Sequence, residues 1–408
     1  MKCGLLGRKL GHSYSPQIHS HLGTYSYELF QREPEELEAF LKYGDFTGLN
    51  VTIPYKKDVI PFLDALSPVA QTLGAVNTVI RRADGTLWGH NTDYFGFSSM
   101  LSRSGLSVSE KKALVLGSGG ASGTVAAVLR ERGANVAVIS RGGEYNYSNL
   151  HLHRDAALIV NTTPVGMYPY TGESLVDLSE FPNLEGVLDL IYNPARTQLL
   201  LDAQKKGIVA ENGLWMLAAQ AKEAAEYFTD TKICDNIIGK IHNTLRLQMG
   251  NIVLVGMPGC GKTTVGCLLA EKTGKRFADS DALIESLAGK TIPEIFAQDG
   301  EDRFREWETL ALEQLGKESG LVIATGGGCV TREQNLPLLR QNGVSIWIKR
   351  DLDCLSTDGR PLSQSNSLSR LYEARMPMYE IFSDLQVDNN NTPEETVFHI
   401  LQLLEECK

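Results

Sequence analysis

The sequence is short of positive charge: 39 Lys and Arg stand against 49 Asp and Glu, for a formal net charge of -10. Nucleic-acid binders are usually basic, so no nucleic-acid partner is expected. Any anionic ligand must be held by a local cluster of cations, because the overall field repels it. The seven cysteines are odd in number and scattered, with no C-x-x-C, which points to reduced thiols in a cytoplasmic protein. No apolar run is long enough to span a bilayer, and "MKCGLLGRKLGHSYSP" at the N-terminus lacks the apolar core of a signal peptide. No membrane partner is expected. Internal repeats and long low-complexity tracts are also missing; the one polar run, "SQSNSLS" at residues 363–369, suits a loop. Nothing in the sequence sets an oligomeric state.

What is present is an ordinary globular composition, 42% hydrophobic and 22% charged over 408 residues, enough for two or three domains. Short β-branched runs ("ALVLG", "NVAVIS", "ALIVNTT", "GVLDLIY", "NIVLVG", "LVIATGGG", "VSIWIK") alternate with longer amphipathic segments. This alternation predicts an α/β protein with parallel sheets covered by helices. "NTDYFGFSSMLSRSG" predicts a helix that starts at Asn91–Asp93 and ends at Gly105.

Two different glycine loops each follow a strand and open a helix. The first, "VLGSGGAS", gives Gly117-x-Gly119-x-x-Ser122. Its glycines permit a tight turn and close approach of a pyrophosphate, and the helix N-terminus supplies N–H donors. Ser122 replaces the usual third glycine, so a turn without a ligand stays open as the alternative. The next strand ends in Ser140-Arg141 rather than an acid, which favours a 2′-phosphate and hence NADP; a solvated arginine is the plain alternative. Lys56, after the proline turn of "NVTIPYKK", and Asp93, at a helix start, read locally as a loop lysine and an N-cap. Paired beside a substrate hydroxyl, they would instead pass a proton during hydride transfer.

The segments "GHSYSPQIH", "LNVTIPYKK", "GAVNTV", "HNTDYFGF", "LGSGGAS", "NTTPVGM", "DLIYNP" and "NGLWMLAAQA" run in order over about 240 residues. Together they resemble shikimate dehydrogenase. The resemblance implies that Ser13 and Ser15 hold the substrate carboxylate and that Thr52, Asn77 and Gln220 bind ring hydroxyls, with Lys56 and Asp93 as catalytic pair. It implies an NADP(H) site from Gly117, Ser118, Gly119, Gly120, Ala121, Ser122, Ser140, Arg141 and Thr162, with Tyr192 and Gly213 near the nicotinamide. Ser15, where quinate-preferring relatives tend to carry threonine, favours shikimate. Only about 20 residues separate Arg141 from Asn161, so a helix of the cofactor lobe is expected to be missing or shortened.

The second loop, "GMPGCGKT" at residues 256–263, satisfies G-x-x-x-x-G-K-[ST]. Its backbone N–H groups would cradle phosphates, with Lys262 at the β- and γ-phosphates and Thr263 on Mg²⁺. Asp279 and Asp281 read either as a solvated acidic turn or as carboxylates aimed at Mg²⁺ and at an acceptor hydroxyl. Arg305 reads as a helix ion-pair partner of Glu301 or Glu308, or as an anion binder. "GGG" at residues 326–328 permits close backbone approach to a ligand.

With "DGRPLS" and "RMPMYE", these residues resemble shikimate kinase over about 155 positions. The resemblance implies ATP held by Gly259, Cys260, Gly261, Lys262, Thr263, Thr264 and Arg360, with Mg²⁺ at Thr263 and Asp279. Lys262, Asp281 and Arg360 would be catalytic, Asp281 as base and Arg360 on a closing lid. Asp281, Arg305, Gly327 and Arg375 would bind shikimate. Three regions are then expected: a shikimate-binding lobe from 1–96 plus 214–248, a Rossmann-like NADP lobe from 97–213, and a P-loop kinase from 250–408. The expected function is reduction of 3-dehydroshikimate to shikimate, then its phosphorylation by ATP.

Overall fold

The computed structural model describes residues 1–11, 13–355 and 365–406. The chain divides into two compact units, described in turn. The first comprises Met1–Val165, Ser174–Tyr192 and Leu199–Thr244; the second comprises Gly166–Glu173, Asn193–Gln198 and Leu245–Lys408.

The first unit holds two sheets. One is formed by β1 (Lys2–Gly7), β2 (Ser26–Gln31), β3 (Gly48–Val51), β4 (Ala65–Leu66), β5 (Thr78–Arg81) and β6 (Leu87–His90), in the order β2-β1-β3-β5-β6-β4. It is mixed: β1 runs parallel to β2 and β3, whereas β5 is antiparallel to both β3 and β6. The other sheet is wholly parallel. It contains β7 (Lys112–Leu116), β8 (Asn135–Ile139), β9 (Leu158–Asn161), β10 (Gly186–Asp189) and β11 (Val209–Glu211), ordered β11-β10-β9-β7-β8. Leu114, Val115 and Leu116 are fully buried although they alternate in direction, because helices cover both faces of a parallel sheet. Each such side chain contributes about 1.5–3 kcal/mol relative to exposure.

Between β8 and β9 the only helical segment is the 3-10 turn Leu150–His153. The crossover is thus as reduced as the short spacing between Arg141 and Asn161 predicts. The helix expected from "NTDYFGF" spans Asp93–Ser104, and Gly105 ends it in the left-handed region at φ 70°.

The second unit has one parallel sheet of β12 (Asn251–Val255), β13 (Arg276–Asp279), β14 (Leu321–Ala324), β15 (Gly343–Lys349) and β16 (Leu385–Asp388), ordered β13-β14-β12-β15-β16. Its core is built on β12, β14 and β15, with Val253, Leu254, Val322, Ile323 and Ile346 fully buried. Of the helix Asn236–Met249, the last residues, Leu245–Met249, belong to this unit and precede β12. Lys275 Nζ donates to the carbonyls of Leu247, Gln248 and Gly250 at 2.7, 3.0 and 2.7 Å, which satisfies last-turn groups with no intrahelical partner. The helix stops there, so β12 and the loop after it begin at once.

Among the described residues, no helix is long and apolar enough to cross a membrane.

Candidate active sites

In both parallel sheets the glycine loop follows a strand beside the point where the strand order reverses, the place where open α/β sheets present ligand crevices. In the first unit β7 feeds this loop. Gly117 has φ 108°, and a Cβ there would meet the Thr162 hydroxyl at 2.8 Å, so only glycine fits the turn. Thr162 itself is pinned to β7, its N–H and hydroxyl both donating to Leu116 O at 2.9 and 2.7 Å. Ser122, which takes the place of a third glycine, is buried and donates its hydroxyl to Gly117 O at 2.7 Å. It braces the loop from behind. Gly119 and Gly120, at the start of the helix Gly120–Glu131, face open space. Ser118 and Ala121 flank them, and Arg141 is exposed just after β8. Gly213 N–H donates to Ile191 O at 3.0 Å, one residue before Tyr192.

Lys56 and Asp93, which follow β3 and β6 of the mixed sheet, come together. Lys56 Nζ donates to Asp93 Oδ2 at 2.6 Å, with the aspartate side chain 5% exposed and the lysine 22%. Asp93 occupies the first helical position rather than the N-cap, which is Thr92. Asn77, at the start of β5, organises the surroundings. Its Oδ1 accepts from Thr92 N–H at 2.7 Å and its Nδ2 donates to Gln220 Oε1 at 3.3 Å. Asn77 and Gln220 are therefore brought together. Val76 N–H donates to Lys56 O at 2.7 Å, fixing the lysine loop against the same region. Ser13 Oγ accepts from Ser15 N–H at 3.2 Å, and Thr52 N–H donates to Leu6 O at 2.9 Å.

Sequence reasoning missed Asn50 and Tyr27 in this region. Asn50 lies two residues before Thr52, so the period-two rule places both on one side of the strand. Tyr27 donates its hydroxyl to Asn50 Oδ1 at 2.7 Å and stacks on the buried His19 ring at 3.9 Å. Burial raises the Tyr27 phenol well above its ordinary value, with a lesser hydrogen bond to Ser15 opposing.

In the second unit the loop after β12 wraps around an ammonium. Lys262 Nζ donates to Gly256 O and Met257 O at 2.9 Å each, with Cys260 Sγ at 3.7 Å. Gly259 and Gly261 have φ 83° and 96°. Thr263 and Thr264 open the helix Lys262–Thr273 with exposed side chains. Asp279 does two jobs: Oδ1 caps the helix Ser280–Ala288 by accepting from Asp281 N–H at 2.9 Å, and Oδ2 lies 3.2 Å from the Thr263 hydroxyl. Asp279 is thus no free acidic turn. Its fixed carboxylate and the hydroxyl form a two-oxygen donor set, which suits Mg²⁺ sharing its remaining positions with phosphates and water.

Arg305 satisfies both ion-pair readings at once, donating to Glu308 Oε2 at 2.8 Å and Glu301 Oε1 at 3.0 Å. Glu308 is wholly buried, and its Oε1 has no hydrogen-bond partner among the described residues. Burial raises its carboxyl above the ordinary value, aided by Asp281 and opposed by Arg305 and Arg375. Spacing alone offers Glu308 only as an ion-pair partner. Arg375 Nη1 and the Tyr379 hydroxyl both donate to Gly327 O, at 3.2 and 2.5 Å, which brings Arg375 and Gly327 together. Gly326 brings Asp281 to the same place, since a Cβ there would meet Asp281 Oδ1 at 2.9 Å and Glu308 Oε1 at 2.8 Å. Arg360 lies outside the described residues.

Residues 5–79 match the family "Shikimate dehydrogenase substrate binding domain", and residues 258–405 match the family "Shikimate kinase". The NADP(+) shikimate dehydrogenase of Clostridium perfringens (strain SM101 / Type A) is 35% identical over 268 residues, covering 60% of this chain and 98% of the relative. Shikimate dehydrogenase 1 of Peptoclostridium difficile superimposes with a TM-score of 0.56 at 38% identity, covering 60% of this chain and 98% of that one. The shikimate 5-dehydrogenase of Thermus Thermophilus, in complex with NADP(H) and shikimate, gives a TM-score of 0.54 at 32% identity over 60% and 99% of the two chains.

Proposed function

Because the chain belongs to the shikimate dehydrogenase family over its first 60% and carries a shikimate kinase domain after it, and so is a bifunctional enzyme of the shikimate pathway using NADP and ATP, we propose the following two reactions for it. The first half reduces 3-dehydroshikimate to shikimate. NADPH, when bound, supplies the hydride that adds to the ketone carbon. The carbonyl π pair becomes an alkoxide, and the Lys56 ammonium gives that oxygen its proton. Asp93, 2.6 Å away and almost buried, keeps the lysine oriented. Asn77 and Gln220 hold the ring hydroxyls, and Ser13 and Ser15 take the carboxylate. Ser140 and Arg141 receive the 2′-phosphate.

The second half phosphorylates the 3-hydroxyl. ATP, when bound, supplies the phosphoryl group. Asp281 accepts the hydroxyl proton while the new O–P bond forms and the bond to the bridging oxygen breaks. Thr263 and Asp279 would hold Mg²⁺, which neutralises phosphate charge. Lys262 sits where the β- and γ-phosphates approach the loop. Arg305 and Arg375 bind the shikimate carboxylate, with Glu308 holding the Arg305 fork in place.

The observation that carries the first assignment is the 2.6 Å Lys56–Asp93 pair beside Asn77 and Gln220. For the second it is Asp279 capping the helix that bears Asp281 while facing Thr263. Steady-state kinetics of Arg375→Ala and Asn77→Ala in the full chain test the substrate assignment. The first should raise KM for shikimate only in phosphorylation, and the second only in the dehydrogenase reaction. An unchanged KM in either would sink that half of the reading.

A further inference from the structure

The second unit includes two pieces of chain that the sequence places in the dehydrogenase half, Gly166–Glu173 and Asn193–Gln198. The second piece is held by a specific set of bonds. Arg196 N–H donates to Gln341 O at 2.8 Å, and Arg196 Nη1 donates to Arg340 O at 2.9 Å and Gly343 O at 3.1 Å. Ala195 N–H donates to Asn342 Oδ1 at 2.8 Å. Two adjacent residues thus engage four consecutive ones, 340–343. Tyr168 N–H donates to Asn193 O at 3.0 Å, which joins the two inserted pieces.

The acceptors lie where the helix Asn335–Arg340 gives way to β15. Last-turn carbonyls have no intrahelical partner and need outside donors. A planar guanidinium serves several carbonyls at once, which an ammonium does less well. Asn342 is itself fixed from behind: its Nδ2 donates to Gly316 O and Lys317 O at 3.2 Å, and its carbonyl accepts from Asn251 N–H at 2.8 Å, at the first residue of β12. The amide oxygen that receives Ala195 is therefore held in place by the kinase core. Burial holds the Arg196 guanidinium below its ordinary value, with Asp384 opposing. That cost is borne only where the donors find acceptors.

We propose that residues 340–343 of the kinase domain are a built receptor for the segment Asn193–Gln198, and that Arg196 is the residue that engages it. One stretch of the first unit ends at Tyr192, one residue before this segment begins. The second unit is then incomplete when cut at its own first strand.

Amide hydrogen exchange on the full chain tests the receptor without reference to either reaction. The amides of Ala195 and Arg196 should exchange at least about a hundredfold more slowly than an open loop. Arg196→Ala should speed both by about tenfold or more, and Arg196→Lys should fall between the two. Rapid exchange in the natural chain, or no change in either variant, would overturn the proposal; the lysine variant gives the reading if the alanine variant does not fold.

Discussion

The two glycine loops are built by different physical means. In the first, Gly119 and Gly120 open onto empty space, and the loop is braced from behind by a neutral hydroxyl, Ser122 on Gly117 O. No cation is built into it; Arg141 comes from the next strand. In the second, the loop closes on the Lys262 ammonium through two carbonyls. Its glycines are crowded by protein: a Cβ at Gly256 would meet Ile348 O at 2.5 Å, and one at Gly261 would meet Asn389 Nδ2 at 2.5 Å. A dinucleotide needs only a helix N-terminus for its pyrophosphate. A triphosphate about to lose its end group develops more charge, and it needs fixed cations in a rigid cradle.

The comparison is broken most sharply by removing the proposed catalytic lysine of each half. Lys56→Ala should lower kcat for the reduction by about 10²–10⁴, the usual worth of a general acid, and leave phosphorylation intact. Lys262→Ala should lower phosphorylation by about 10²–10³, as for loss of one group stabilising transition-state charge, and leave the reduction intact. Initial rates of both reactions on both variants decide the matter. A variant that loses both activities would show that the halves are not separate in chemistry.

A smaller effect sharpens the contrast between the loops themselves. Gly261→Ala places a side chain at φ 96° against Asn389, and should cost about 1–2 kcal/mol or more of stability. Gly119→Ala sits at φ −77° in open space, so its unfolding midpoint should stay unchanged while KM for NADPH rises. Equal losses of stability in the two variants would contradict the difference drawn between the loops.

A separate effect concerns acid. Burial pushes the His19 imidazole down to about 3, so the folded chain refuses a proton that the unfolded chain takes below about pH 6.5. The unfolded state then holds more protons, and stability falls as pH drops from about 6.5 towards 3, by up to about 1.4 kcal/mol per unit from this group. Replacing His19 by Asn should flatten the acid side of the stability profile, read from urea midpoints at several pH values. A profile parallel to the natural chain's would refute the assignment.

How much of this was legible in the sequence depends on the range of each interaction. The helix Asp93–Ser104 was readable because its start signal and Gly105 are local. Both glycine loops were readable because strand, turn and helix are contiguous. The Lys56–Asp93 pair was not readable from local pattern, since 37 residues separate the two; only the family resemblance joined them. Glu308 was seen as a helix-face partner of Arg305, yet its complete burial is set by the turn at Gly326, which no spacing along the helix reveals. Arg196 was invisible for the same reason. The strand alternation assigned its segment to the sheet around it, whereas its bonds go to residues about 145 positions later.

The central claim is that one chain performs two consecutive reactions at two separate constellations. Product analysis of the Lys262→Ala chain, supplied with 3-dehydroshikimate, NADPH and ATP, tests it most directly. The account predicts that shikimate accumulates, with one NADPH oxidised per molecule formed and no phosphate ester beyond trace. Formation of shikimate 3-phosphate at the natural rate, or failure to oxidise NADPH at all, would contradict it.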